Sequence, residues 1–152
     1  MAEGRKVVAS NRRARHNYEI LDTFEAGMVL KGSEVKSLRA SQVQLKDAYA
    51  TLQDGELWLE NAHIAPYSYA TSGGHDPERK RKLLLRRREI DRLTGKVHEQ
   101  GLTLVPLQIY FVHGLAKIEI ALAKGRHTYD KRRKLVERQQ KREMDRAKSH
   151  RR

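Results

Sequence analysis

The chain has 152 residues, 34% of them charged, and a formal net charge of +13. That length accommodates one domain with a sizeable core and falls short of two independent ones. It contains no cysteine, which rules out a disulfide framework and any thiolate zinc site. With no secretory apolar region and no stretch near the length of a bilayer span, a soluble cytoplasmic protein is expected.

Taken in chain order, residues 1–17 are basic and short of apolar anchors, and they read as an arm that is partly flexible and ordered only near its end. A folded domain is expected over 18–124, and a basic tail over 125–152. "YEILDTFEAGMVLKG" is rich in strand formers, and its internal Gly27 predicts a bulge or sharp bend. "SEVKSLRAS" changes period: Val35 and Leu38 are three apart, as in a short helix capped by Ser33. "AYATLQDGELWLENAHI" is a hairpin, with Asp54-Gly55 suited to the positive φ angles of a primed turn. "YSYATSGGHDPER" is a loop, from which Asp76 and Pro77 are expected to start a helix running to about Leu93 and stopped by Gly95. In the second hairpin Ala116, Ile118, Ile120 and Leu122 alternate with Lys117 and Glu119, which predicts one buried and one wet face. Curved strands with few helices point to a mainly β fold with α elements, a small closed β-barrel of oligonucleotide-binding (OB-like) character.

The seven histidines form no metal-binding couple at helical spacing, and no nucleophile elbow, Walker loop or dinucleotide fingerprint is present. No catalytic residue, metal or cofactor is therefore assigned. Basic surface is what the chain does offer. From Lys124 onward thirteen Lys or Arg stand against Asp130, Glu137, Glu143 and Asp145. A like-charge block with so little to bury stays unfolded until a polyanion or acidic surface supplies partners, so nucleic acid is the leading candidate.

In "RKRKLLLRRREIDRL" a helical count puts Leu83, Ile90, Leu93 and Val97 on one side and turns Leu84 away, into a field that includes Arg88. Leu84 then either packs on an unstacked base or is ordinary core beneath the preceding loop; both readings stand at this level. "NRRARH" and "EVKSLR" add Arg12, Arg13, Arg15, Lys36 and Arg39. No RNP aromatic signature, KH-type GxxG or zinc knuckle occurs, which favours shape reading through backbone and sugar contacts.

The succession "NRRARHNYEI", "FEAG", "EVKSLR", "DGELWLENAHIAPY", "RKRKLLL" and "AKGRHTYDKRRK", near-continuous from Asn11 to Arg132, resembles the SsrA-binding protein (small protein B) family. The resemblance implies an OB-like barrel with about three helices. It also implies binding to the tRNA-like domain of transfer-messenger RNA (tmRNA) and entry with it into stalled ribosomes for trans-translation, without catalysis. Glu25 of FEAG and Leu84 of RKLLL are RNA-binding positions in that family, and a carboxylate can accept from base amino groups or 2′-hydroxyls. The matched blocks extend the implied tmRNA contacts to Asn11, Arg13, Arg15, Lys36, Arg39, Arg81, Lys82 and Arg86, the last replacing a frequent histidine or asparagine. In the resemblance the tail is disordered when free and helical in the empty messenger channel beyond the decoding centre of the small-subunit rRNA. Gly125 would be its hinge, and Asp130, Lys131 and Arg132 its signature, with Tyr129 where relatives often have histidine. Its acid-first pairs Asp130–Lys134 and Glu137–Lys141 add a few tenths of a kcal/mol each, against an ordering cost of about 1 to 2 kcal/mol per residue. A monomer with no membrane contact is expected. Two other classes remain open from residues alone: a structural ribosomal protein, and a nuclease or RNA-modifying enzyme.

Overall fold

The computed structural model describes residues 5–67 and 74–125, together with the helical residues 141, 142 and 144. Residues 126–132 and the rest of the tail, including Tyr129, Asp130, Lys131 and Arg132, lie outside the described residues, as does the expectation of disorder there.

The chain runs β1 (Lys6–Ser10), α1 (Ala14–Asn17), β2 (Tyr18–Met28), α2 (Gly32–Arg39), β3 (Val43–Gln44), β4 (Tyr49–Gln53), β5 (Glu56–Glu60), β6 (His63–Ile64), β7 (Arg81–Leu84), α3 (Arg87–Gln100), β8 (Thr103–Val112) and β9 (Leu115–Gly125). Seven strands form one antiparallel sheet in the order β1-β8-β4-β5-β7-β2-β9, and a further β8–β9 pairing closes six of them into a ring. β8 shares one edge between two partners, β4 near its start at Leu104 and β1 from Gln108 to Phe111. β3 and β6 make a separate two-stranded sheet. Closure of the ring leaves few unpaired edges to be protected. Leu57, Leu59, Leu83, Ile109, Ile118 and Ile120 fill its interior, with Leu38 of α2 and Leu93 of α3 packed against them.

Both predicted hairpins form. Asp54 and Gly55 have φ of 52° and 74°, and His113 and Gly114 have 50° and 78°, the paired positive values of a primed turn. The Asp54-Gly55 turn is also gripped from outside, because Arg87 at the start of α3 donates to the Gly55 carbonyl at 2.7 Å.

The region expected as one helix from Asp76 to Leu93 is instead a turn, a strand and a later helix. Asp76 accepts from the backbone N–H of Glu78 (3.0 Å), a local turn in place of a helix cap. Residues 81–84 then pair with β5 on one side and β2 on the other, so the segment completes the ring. Arg81 and Leu83 point inward at 0% exposure and Leu84 outward at 52%, the two-residue period of a strand. The helix begins at Arg87, runs through Gly95 and ends at Gly101, whose φ of 61° is the left-handed value of a C-terminal stop.

Other expectations shift more locally. Within the expected arm, residues 6–10 form β1, which pairs with β8. The bulge of β2 falls between Ile20 and Asp22, not at Gly27, which stays in regular register. Lys31, not Ser33, is the N-cap of α2; its N–H donates to Glu34 Oε1 at 2.8 Å, and the Ser33 hydroxyl bonds to His75. Towards the end of β9 the face expected to be wet is covered as well: Ala121 and Ala123 pack with Ala14, Val105 and Leu107 beneath Tyr18 and Ile20.

Glu34 ties α2 to β7. Its carboxylate, fully buried, accepts from Arg81 Nε and Arg79 Nη2, each at 2.5 Å. Arg81 also donates to the carbonyls of Ala62 (2.8 Å) and Pro77 (3.0 Å), so its charge is well matched inside the fold. Burial pushes the Glu34 carboxyl up, but bonds from Arg79, Lys31 N–H and Arg81 outweigh it and hold the pKa below its ordinary 4.5. A lowered folded pKa stabilises the native state above the unfolded value, and that contribution is lost as pH falls through the folded one. Stability monitored by urea unfolding is therefore expected to decline below pH 4.5. Glu34→Ala, which leaves Arg81 buried without its partner, is expected to cost about 3–5 kcal/mol and to remove that pH-dependent component.

Candidate nucleic-acid interface

One row of residues crosses five strands on the outside of the ring. Leu84 of β7 pairs with Gly27 of β2, Gly27 with Lys117 of β9, Lys117 with Tyr110 of β8, and Tyr110 with Val7 of β1. The adjoining row is Glu25, Glu119, Gln108 and Ser10. Because side chains alternate across a sheet, both rows are exterior and the intervening Ile118 and Ile109 are core.

Glycine at position 27 leaves a gap in the first row. A methyl group there would stand 3.4 Å from Leu84 Cβ, so any longer side chain would fill the space that separates Leu84 from Lys117. The result is a hollow of about 350 Å³ lined by Phe24, Glu25, Gly27, Leu84, Leu85, Arg86, Glu89 and Lys117. It combines an exposed apolar wall, two cations and two carboxylates. Such a mixture can pack on a base or ribose while the cations meet phosphates.

Glu25 is exposed but oriented, because the Tyr110 hydroxyl donates to its Oε2. Burial first, and then the hydrogen bond and charge of Glu25, push the Tyr110 phenol well above its ordinary value. Tyr110 thus stays protonated and remains a donor across the working range of pH.

The remaining sequence-predicted positions distribute differently. Arg86, the N-cap of α3, is exposed beside Leu84. Lys82 is half-buried with its Nζ 3.7 Å from Glu56. Arg81 must be withdrawn as a surface contact, because its guanidinium is buried on Glu34 and backbone carbonyls and has no face towards a ligand. Lys36 and Arg39 are exposed on α2, where Arg39 stacks on Phe111 at 4.5 Å and Lys36 approaches the Tyr67 ring at 5.2 Å. Asn11 acts as a clasp: its Nδ2 donates to the Pro106 carbonyl (3.1 Å) and its N–H to the Leu107 carbonyl (2.7 Å). Arg13 and Arg15 are exposed at α1. Asn11, Arg12 and Arg13 border a second hollow of about 320 Å³ with Gln44 and Lys46, which shares no lining residue with the first. Gly125 ends β9 opposite Tyr18.

Sequence reading missed Lys117 and Tyr110 as parts of this face. Lys117 was already placed on a wet face, and counting back through the turn would have put Tyr110 beside it; the run "IYFV" instead reads as core. Among the described residues no group of three His, Asp or Glu is arranged to hold a metal ion, and no helix is long and apolar enough to cross a membrane.

The SmpB protein family matches residues 8–150. The chain belongs to that family. The SsrA-binding protein of Salinispora arenicola is 61% identical over 145 residues, covering 95% of this chain and 91% of the relative. That of Desulforudis audaxviator is 55% identical over 145 residues, 95% of each chain. A solved structure described as "tmRNA-SmpB: a journey to the center of the bacterial ribosome" is 57% identical, with a TM-score of 0.65 over 78% of this chain and 84% of its own.

The strand assignment of the SmpB segment RKLLL separates its first two leucines. Leu83→Ala is expected to lower unfolding free energy by about 2–5 kcal/mol, as for a buried leucine. Leu84→Ala should stay within about 0.5 kcal/mol, as for an exposed position. Denaturant midpoints of the two variants check this; equal losses would show that Leu84 is covered core and not exposed surface.

Proposed function

We propose that this SmpB family member is an RNA-binding accessory factor that binds the tRNA-like domain of transfer-messenger RNA and delivers it to stalled ribosomes for trans-translation. The observation that carries the reading is the meeting of Glu25, Leu84 and Arg86 around one hollow: Glu25 is far in sequence from the other two, and the family resemblance had marked Glu25 and Leu84 as RNA-binding positions. The relatives are named for binding SsrA, and the solved structure names tmRNA, SmpB and the bacterial ribosome together. In this reading the ring of strands is an OB-like barrel that grips a tRNA-shaped elbow. Lys82, Lys36, Arg39 and the α1 cations Arg13 and Arg15 neutralise phosphates around it, and the protein acts in the cytoplasm as a monomer, by binding and without turnover. Residues 125–152 form the ribosomal element: Gly125 is the hinge, Tyr129, Asp130, Lys131 and Arg132 enter beyond the decoding centre, and the tail becomes helical only against rRNA in the messenger channel.

If about eight phosphates are neutralised on single-stranded-like RNA, log affinity should fall with log salt at a slope of about −6, and a slope near zero would contradict the reading. Glu25→Ala should weaken binding of the tRNA-like domain about 10- to 150-fold, the scale of losing a charge-assisted hydrogen bond, with the slope unchanged. Filter binding across a salt series measures both. Truncation before Asp130 is expected to leave tmRNA affinity nearly intact and to abolish tagging on stalled ribosomes in a reconstituted translation system. Equal loss of both would refute the division between body and tail.

A further inference from the structure

Tyr110 belongs to the exterior row of the sheet and is nevertheless only 1% exposed. Part of its cover comes from the N-terminal segment: the guanidinium of Arg5 lies 3.7 Å from the centre of its ring. Arg5 immediately precedes β1, whose Val7 is the register partner of Tyr110, so strand pairing itself delivers the cation to the ring. Three other described cations lie over rings, Lys36 over Tyr67, Arg39 over Phe111 and Lys80 over Trp58, and the last two have a further partner within the fold. Arg39 on Phe111 also donates to the Gly114 carbonyl (3.4 Å), and Lys80 on Trp58 also donates to Gln53. Arg5 has no ion pair to a carboxylate among the described residues, and it remains partly exposed.

A guanidinium stacked on one face presents a second flat face away from the sheet, and its N–H edge is available to oxygen acceptors. Arginine planes are surfaces on which unstacked RNA bases settle, with phosphates meeting the edge. The Tyr110 side chain whose ring supports Arg5 also donates through its hydroxyl to Glu25, so a single aromatic side chain contacts a cation and an anion on the same exterior face.

We propose that Arg5, held flat on Tyr110, is a nucleic-acid contact that stacks an unpaired base, and that Tyr110 is the positioning residue that aims Arg5 and Glu25 at one RNA. This rests on the reading of the sheet face as the tmRNA site and carries it one strand further, across β8 to the N-terminal segment.

The test is binding of a transcript of the tRNA-like domain by the full chain at several salt concentrations, with an unrelated hairpin RNA of equal length as control. Arg5→Ala is expected to weaken binding of the transcript about 5- to 100-fold, the range of one lost stacked base. Arg5→Lys keeps the charge and should leave the salt slope unchanged, yet recover less than half of the lost affinity, because the plane is gone. Tyr110→Phe keeps the ring and the core volume; it should weaken binding in the wild-type background and add nothing to Glu25→Ala, which a merely structural role would not produce. Wild-type affinity in Arg5→Ala, or full recovery in Arg5→Lys, overturns the stacking contact. Additive losses for Tyr110→Phe and Glu25→Ala overturn the positioning role. A wild-type protein that binds transcript and control hairpin alike instead defeats the underlying tmRNA reading, a result separable from either of these.

Discussion

The contact on which the rest of the architecture depends is the buried carboxylate of Glu34 between Arg79 and Arg81. Two charges removed from water are tolerated only when their hydrogen-bonding capacity is nearly filled, and here α2, β7 and the carbonyls of Ala62 and Pro77 all contribute. The arrangement acts as a register pin. A strand displaced by one residue would turn Arg81 out and Lys82 in, leaving Glu34 without its partner. With Arg81 inward, Leu83 must be inward and Leu84 outward, so the burial of one ion pair determines which leucine reaches the surface.

The exterior row then follows from ladder geometry. Leu84, Gly27, Lys117, Tyr110 and Val7 come from five strands spread over more than a hundred residues of sequence, yet they are successive neighbours across the sheet. Glycine keeps a gap open at the second position, and Tyr110 spans β9 to reach Glu25. The face is thus built on paired strands, and all but the edge strand β1 have a partner strand on both sides. A surface of this kind presents a fixed pattern of charge and apolar area, as suits a partner recognised by its shape.

Membership of the SmpB family and this geometry point the same way, towards binding. The exposed groups that meet at the hollow include carboxylates, cations and a leucine, with a tyrosine kept protonated beside them; this is a set that can accept, donate and stack. The α1 segment, through Arg13, borders a separate hollow that shares no lining residue with this one.

Several features of this protein are written in a few adjacent residues. The turns at Asp54-Gly55 and in the second hairpin depend on local φ preferences, the inward stripe of Ile90 and Leu93 on helical periodicity, and the charge asymmetry of the tail on composition; each could be read without the fold. The family itself was legible in the matched blocks. The strand 81–84 could not be read, because a run of basic residues and leucines satisfies either period, and the choice was made by open edges on β2 and β5, some twenty to sixty residues away in the chain. The same holds for the burial of Arg81, which needs Glu34 to exist opposite it, for the capture of β1 by β8, and for the exterior position of Tyr110. Short-range sterics and periodicity are properties of the chain, whereas which edge a strand finds and which charge a charge meets are decided only when distant segments pack.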